Sequence, residues 1–174
     1  MALIKTLRGF VPQIDETCFL AETAVIIGDV IMGKECSVWY NAVIRGDVNS
    51  IRIGNRVNIQ DGAVIHTLYQ KSQVHIGNRV TVSHHATVHG AIISDNVLVG
   101  IGAIILDNAQ IGSNTIIAAG SLVLSGTIVE SNSIYGGVPA KKIKSISEEH
   151  SRDLIDKIAD NYVMYSEWYK NDKY

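Results

Sequence analysis

Three histidines, His66, His84 and His89, are the residues of this sequence best suited to chemistry. Three neutral imidazoles with one open coordination position form a catalytic zinc arrangement. Such an ion lowers the pKa of its bound water to about 7 and supplies hydroxide at neutral pH. A structural zinc normally has a fourth protein ligand, and neither Cys18 nor Cys36 has a suitable spacing. The histidines therefore predict a catalytic metal site that binds Zn²⁺, with Fe²⁺ and Co²⁺ as alternatives because imidazole suits all three.

A six-residue repeat specifies the elements that must position these histidines. From Ile93 onward an aliphatic or aromatic residue recurs at every sixth position, up to Tyr135, and a small or β-branched residue follows four positions after nearly every one. A helix of 3.6 residues per turn cannot keep this pattern in phase, whereas short strands with tight corners can. Three hexads close one triangular coil, and coils stack with strands about 4.8 Å apart. The pattern predicts an all-β solenoid stabilised by contacts between neighbouring coils.

Upstream of Ile93 the same frame continues, with one interruption between Ile44 and Ile53 and another between Ile65 and Ile76. If both interruptions are loops that bulge outward, the frame assigns the polar residues to columns. Hexads that lie three apart share a face of the solenoid. One predicted column contains Arg45, His66 and His89. By the same count, Asp61 and His84 stack on a different face, beside Gln60 and Ser83.

His84 lies around a corner from His89, so its ring is expected to point along another outer face of the same chain. If all three histidines bind one ion, the simplest solution takes His84 from a second subunit. Three equivalent edges then give a homotrimer with three metal sites at the subunit interfaces, a closed cyclic assembly. The other histidines, His75, His85 and His150, are expected to be surface or cap residues.

Composition limits the remaining possibilities. The chain has 174 residues, which suits one main domain, and its net charge of -2 gives no electrostatic footprint for nucleic acid. No apolar run approaches the ~20 residues of a membrane span, and the N-terminus does not resemble a signal peptide. We therefore expect a cytoplasmic protein that neither binds nucleic acid nor enters a membrane. Cys36 falls at an inward repeat position and is expected to be a packed thiol.

The character of the sequence changes after Pro139. Ser145 and Glu148 fit a capping box. Apolar residues then follow helical spacing from Leu154 to Trp168. We predict a β-helix domain over residues 1–145 and a C-terminal segment, 146–174, whose amphipathic helix (146–170) packs along the solenoid.

Four segments carry a resemblance to a known family: VWYNAVIRGD (38–47), NIQDGAVIH (58–66), VSHHATVHG (82–90) and DNYVMYSEWY (160–169). Together they resemble the γ-class carbonic anhydrases, over nearly the whole chain. The specific part is RGD, NIQD, and a histidine followed five residues later by HG, set in hexapeptide repeats. The resemblance implies a left-handed parallel β-helix, a homotrimer, and a lyase that hydrates carbon dioxide to bicarbonate reversibly through metal-bound hydroxide.

The resemblance also implies roles for individual residues. His66 and His89 of one subunit and His84 of the next would bind the metal. The residues matching Arg45 and Asp47 pair at the subunit interface in the family, and the one matching Gln60 contacts the metal-bound water. Further site residues implied by the resemblance lie near the active site: Asn58, Asp61 and Tyr162.

One departure from the family concerns proton transfer. The archetypal enzyme has a glutamate directly after RGD and another on an acidic loop before the second histidine. Here the first position is Val48, and the loop TLYQKSQV (67–74) has no carboxylate. A fast hydratase exports a proton in each turnover, usually through a titratable relay. The sequence thus predicts an intact metal site without the usual relay, and weak or absent anhydrase activity.

Two alternatives remain open at this point. One is a hexapeptide-repeat acyltransferase or acyl-coenzyme A thioesterase, because YGGVPAKKI (135–143) resembles the segment that helps to hold coenzyme A in such acyltransferases. These acyltransferases typically use one catalytic histidine without metal, which disfavours the transferase. The other is a trimer that binds metal without catalysis.

Overall fold

A computed structural model describes residues 1–171, except for the side chains of Glu148, His150 and Arg152. The predicted surface position of His150 lies outside the described side chains. The predicted capping box of Ser145 and Glu148 is wrong, because Ser145 is the last residue of a strand (Lys141–Ser145) and the helix begins only at Glu148. The chain forms a left-handed parallel β-solenoid of about seven turns followed by one helix, as the repeat and the resemblance predict.

Twenty short strands and a helix make up the described chain. In chain order they are β1 (Leu3–Lys5), β2 (Gln13–Ile14), β3 (Phe19–Leu20), β4 (Val25–Met32), β5 (Ser37–Val38), β6 (Val43–Ile53), β7 (Asn58–Ile59), β8 (Val64–His66), β9 (Val74–Ile76), β10 (Thr81–Val82), β11 (Thr87–His89), β12 (Ile92–Ile93), β13 (Val97–Val99), β14 (Ile104–Ile105), β15 (Gln110–Ile111), β16 (Thr115–Ile117), β17 (Leu122–Val123), β18 (Ile128–Val129), β19 (Ser133–Gly136), β20 (Lys141–Ser145) and α1 (Glu148–Asn171).

The strands form three faces. Face 1 contains the first half of β6 with β8, β11, β14 and β17, and face 2 contains the second half of β6 with β9, β12, β15 and β18. Face 3 contains β3, β5, β7, β10, β13, β16 and β19. Because β4 and β6 run around a corner, faces 1 and 2 belong to one continuous sheet.

The core consists of the inward aliphatic residues of the repeat. Ile44, Ile65 and Val88 are register partners in successive coils of face 1, and all three are fully buried. Each contributes on the order of 1.5–3 kcal/mol by leaving water. Cys36 is also buried, as predicted, and both cysteines are free. At the corners the backbones approach closely: a Cβ on Gly54 would lie 2.7 Å from the carbonyl oxygen of Gly77, which explains why glycine is needed there.

The last strand is a feature that the periodicity did not predict. β20 runs antiparallel to β19 and so covers the final edge of face 3. Its exposed sequence, KKIKS, has no inward repeat position. The lysines keep this terminal edge charged, a common means of preventing further strand pairing.

Helix α1 packs across face 3, close to the predicted position. Ile155 and Ala159 are buried against the solenoid, and Tyr162 meets Trp39 edge-on with ring centroids 5.4 Å apart. Arg79 fixes the middle of the helix through an ion pair of 2.6 Å with Asp156. Within residues 1–171 no helix has both the length and the apolar sequence needed to cross a membrane.

Candidate metal centre

The predicted column of polar residues is present at the corner where face 1 turns into face 2. Strand register pairs Arg45 with His66 and His66 with His89. Nδ1 of His66 lies 3.1 Å from Nε2 of His89. Both side chains are partly exposed, 17% and 26%, so the site is open to solvent or to a partner.

A carboxylate holds the far side of each ring. Oδ1 of Asp47 lies 3.0 Å from Nε2 of His66, and the other oxygen of Asp47 accepts a hydrogen bond from Arg45. Both oxygens of Asp107 lie 3.0 Å from Nδ1 of His89. The four side chains therefore form one chain of contacts, Asp47–His66–His89–Asp107.

Within this row of four side chains, the surroundings favour a neutral imidazole at His66 and an ionised carboxylate at Asp47. Burial lowers the pKa of His66, although the hydrogen bond that His66 donates to Asp47 acts to raise it. Burial opposes ionisation of Asp47, yet the hydrogen bonds from Arg45 and His66 hold its pKa below the usual value. Neutral imidazole has one N–H donor and one acceptor nitrogen.

The donor set fits a metal ion. When both rings are neutral and each donates its N–H to its carboxylate, Nδ1 of His66 and Nε2 of His89 face each other with no hydrogen between them. Two nitrogens bound to one tetrahedral zinc at about 2.0–2.1 Å would lie about 3.3 Å apart. The observed separation is close to this value, and a cation would relieve the repulsion between the two lone pairs.

His84 lies at the opposite edge of face 1, in the corner turn between β10 and β11. Its Nδ1 lies 2.9 Å from Oδ2 of Asp61, and its backbone N–H donates to Oε1 of Gln60. Asp61 thus stacks next to His84, as the repeat frame predicts. Among the side chains that the structure describes, no three His, Cys, Asp or Glu residues of a single protomer converge to hold a metal ion.

The remaining predicted site residues adjoin His84 rather than the column. Nε2 of Gln60 donates to Asn58, and Asn58 donates to Thr81, so this buried row is fixed by hydrogen bonds of 2.9 and 2.8 Å. Tyr162 and Asp61 line the same cavity of about 300 Å³ between α1 and the solenoid. Burial, followed by the charge of Asp61, raises the pKa of Tyr162 to about 12.

Two of the histidines that the sequence predicts to be surface or cap residues lie outside the site. His75 and His85 are exposed, His75 on face 2 and His85 in the corner turn beside His84. Neither is part of the column.

The sequence reasoning missed Asp107. The signal was available in the repeat frame, since one more coil of the column, after Val88, reaches Ile105 and Leu106 and places Asp107 next to Gly90.

Comparison with known proteins supports the resemblance. The chain is 42% identical over 168 residues to a carbonic anhydrase of Geobacillus kaustophilus, an alignment that covers 97% of this chain and 91% of that protein. The chain belongs to the γ-carbonic-anhydrase-like family of hexapeptide-repeat proteins. It is also 37% identical over 157 residues to mitochondrial gamma carbonic anhydrase 2 of Arabidopsis thaliana, covering 87% of this chain and 56% of that protein.

Other similar proteins carry different names. A family model for bacterial transferase hexapeptide repeats matches residues 90–125. A solved structure of a hexapeptide transferase family protein from Anaplasma phagocytophilum superposes with a TM-score of 0.90, at 39% identity, and covers 96% of this chain and 98% of that one. Membership thus leaves two kinds of chemistry to be decided at the site.

Proposed function

We propose that this protein is a metal-dependent, carbonic anhydrase-like homotrimer that hydrates carbon dioxide slowly. The observation that carries the proposal is the pair of imidazole nitrogens, on His66 and His89, that face each other 3.1 Å apart with a carboxylate behind each ring. Zinc, iron(II) or cobalt(II) would be held there and would supply hydroxide at neutral pH.

The placement of His84 supports a shared site. His66 and His89 occupy one edge of face 1 and His84 occupies the other. A ring in which each protomer sets one edge of face 1 against the opposite edge of the next would complete three sites. Closed threefold symmetry uses the same heterologous contact three times. Face 1 would then line the threefold axis.

The outward side chains of face 1 suit such an arrangement. Its outward residues are Val43, Val64, Thr87, Ile104 and Leu122, and four of these five, all except Thr87, are aliphatic. The outward residues of face 2 are Arg52, His75, Ile92, Gln110 and Ile128, and only the two isoleucines are apolar. Apolar surface buried against a second copy stabilises association, whereas polar surface is left to solvent.

The chain's own residues then have distinct tasks. Asp47, held by Arg45, orients His66, and Asp61 orients His84. Gln60 is fixed by its bonds to Asn58 and to the backbone of His84. Its second amide hydrogen and second lone pair remain available to orient a water molecule or carbon dioxide.

Proton export is the step that this chain supports least. Val48 occupies the position of the family's glutamate, and the loop 67–74 contributes no carboxylate. The raised pKa of Tyr162 keeps its phenol protonated at neutral pH, so it cannot accept the proton. We therefore expect buffer to remove the proton and to limit turnover.

A second candidate is acyl transfer or thioester hydrolysis. An apolar groove of about 380 Å³ runs beside His84, between face 3 and Ile158 of α1. Leu98, Ile101 and Ile116 line it, and an acyl or pantetheine chain would fit such a surface.

One experiment separates these possibilities. Metal-free protein is reconstituted with Zn²⁺ or Fe²⁺, and metal content, oligomeric mass and stopped-flow hydration of carbon dioxide are measured, with coenzyme A binding followed by calorimetry. The proposal expects one metal per chain in a trimer and buffer-dependent hydration. A trimer with full metal but no turnover would indicate a non-catalytic metal protein. Absence of metal after reconstitution, with coenzyme A bound, would refute the proposal and favour the second candidate, acyl transfer or thioester hydrolysis.

A further inference from the structure

We infer that Asp107 is a positioning residue for the metal site, acting through His89. The inference rests on the proposed function, because it assigns Asp107 the task of presenting one nitrogen of His89 to the ion. Asp107 is in the corner turn after β14, one coil beyond His89.

The contact between Asp107 and His89 has the geometry of an orienting hydrogen bond. Both carboxylate oxygens lie 3.0 Å from Nδ1 of His89, and neither lies on the side of the ring that faces His66. A carboxylate accepts, so the proton of the neutral ring stays on Nδ1 and the lone pair on Nε2. Partners of this kind on the outer side of a histidine fix its tautomer and ring orientation in metal sites.

Asp107 is itself held in place. The hydroxyl of Ser72 donates to Oδ1 of Asp107, and the backbone N–H of Leu68 donates to the oxygen of Ser72 at 3.1 Å. The loop 67–74 therefore supports the metal site. Its residues orient a ligand, whereas the corresponding loop of the archetypal enzyme carries an acidic residue for proton transfer.

Gly90 gives this network its space. A Cβ on Gly90 would lie 2.0 Å from Oγ of Ser72 and 2.3 Å from Oδ1 of Asp107, and its φ of +59° disfavours other residues. The HG pair that marks the third histidine thus has a physical reason: the residue after His89 must leave room for the carboxylate that orients it.

The test compares Asp107→Ala, Ser72→Ala and a matched control, Asp95→Ala. Asp95 is another corner carboxylate that links coils, since it accepts from the backbone of Asn78, and it has no contact with a site histidine. Zinc affinity is measured by competition with a chromogenic chelator. We expect roughly a 10- to 100-fold loss for D107A, a smaller loss for S72A and no loss for D95A.

A second measurement reads the tautomer without metal. In the metal-free wild type, ¹⁵N spectra of labelled histidine should show His89 protonated at Nδ1, and D107A should shift protons to Nε2. Zinc affinity of D107A equal to that of D95A, or wild-type His89 protonated at Nε2, would overturn the inference. If wild-type trimers bind no zinc, the proposed function fails, while the tautomer still decides the role of Asp107.

Discussion

Nδ1 of His84 lies 2.9 Å from the carboxylate of Asp61, so this histidine is oriented from behind in the same manner as His66 and His89. Its ring nevertheless lies at the other edge of face 1, away from the column. We propose that His84 is a prepared ligand whose metal-binding partners belong to another copy of the chain.

Subunit mixing tests this arrangement. His66→Ala and His84→Ala should each abolish metal binding as pure trimers. In trimers assembled from an equal mixture, a site is intact when the edge with His66 and His89 comes from an H84A protomer and the edge with His84 comes from an H66A protomer. Random association gives about one site in four. Elemental analysis measures the recovered metal. If the mixture regains none while the trimers exchange subunits, the ligands do not come from two chains.

The apolar stripe of face 1 predicts a sensitive position for assembly. Ile104 is 40% exposed in the single chain, and Ile104→Lys should convert trimers to monomers and remove the metal, because a charge would be buried at the contact. Ile128→Lys is the matched control, since Ile128 is 71% exposed on face 2. Light scattering after size-exclusion chromatography gives the mass. Trimers of I104K with full metal would contradict the assignment of face 1.

Turnover should depend on buffer because the relay is missing. We expect the wild-type hydration rate to rise with imidazole concentration. Val48→Glu places a carboxylate directly after Asp47 and should raise the rate in dilute buffer by about tenfold or more. Val48→Gln controls for size and polarity. Stopped-flow assays at several buffer concentrations measure both. A V48E rate equal to that of V48Q would mean that proton export does not limit this protein.

The ion pairs of Arg79 should stabilise the docking of α1. The guanidinium bonds both Asp156 and Asp160, at 2.6 and 3.0 Å, and its side chain is 25% exposed. Arg79→Ala should lower the free energy of unfolding by about 1 kcal/mol, since a partly buried network exceeds an exposed pair. The exposed pair of Lys142 with Glu130 provides the control, and K142A should change stability less than R79A does, because solvent screens an exposed pair. Urea denaturation followed by circular dichroism measures both, and equal effects would refute the expected difference.

The raised pKa of Tyr162 predicts that the protein loses stability at alkaline pH. Its pKa of about 12 in the folded chain exceeds the unfolded value near 10. Between these two values the unfolded chain has lost the phenolic proton while the folded chain keeps it. The stabilising contribution is therefore complete below pH 10 and is lost as pH rises toward 12. The melting temperature should fall more steeply between pH 9 and pH 12 for the wild type than for Tyr162→Phe. Parallel curves would show that the phenol does not couple to folding.

Much of the fold could be predicted because the hexapeptide pattern is a local constraint. Each inward aliphatic residue specifies its own strand, and the count of hexads specifies its neighbour one coil away. The column of His66 and His89 followed directly from that count. The antiparallel strand β20 could not be predicted, because it has no repeat and is placed by pairing with β19.

The same distinction between repeat-encoded and structure-dependent features applies to the site. The sequence by itself determined which histidines share a column and which lies apart, because stacked coils convert residue number into position. Only the tertiary structure decided which nitrogen of each ring faces which partner, and so revealed Asp107, Ser72 and Gly90 as the support of His89. Side-chain direction at a corner depends on the turn and on the loop packed against it. A periodic pattern does not encode either one.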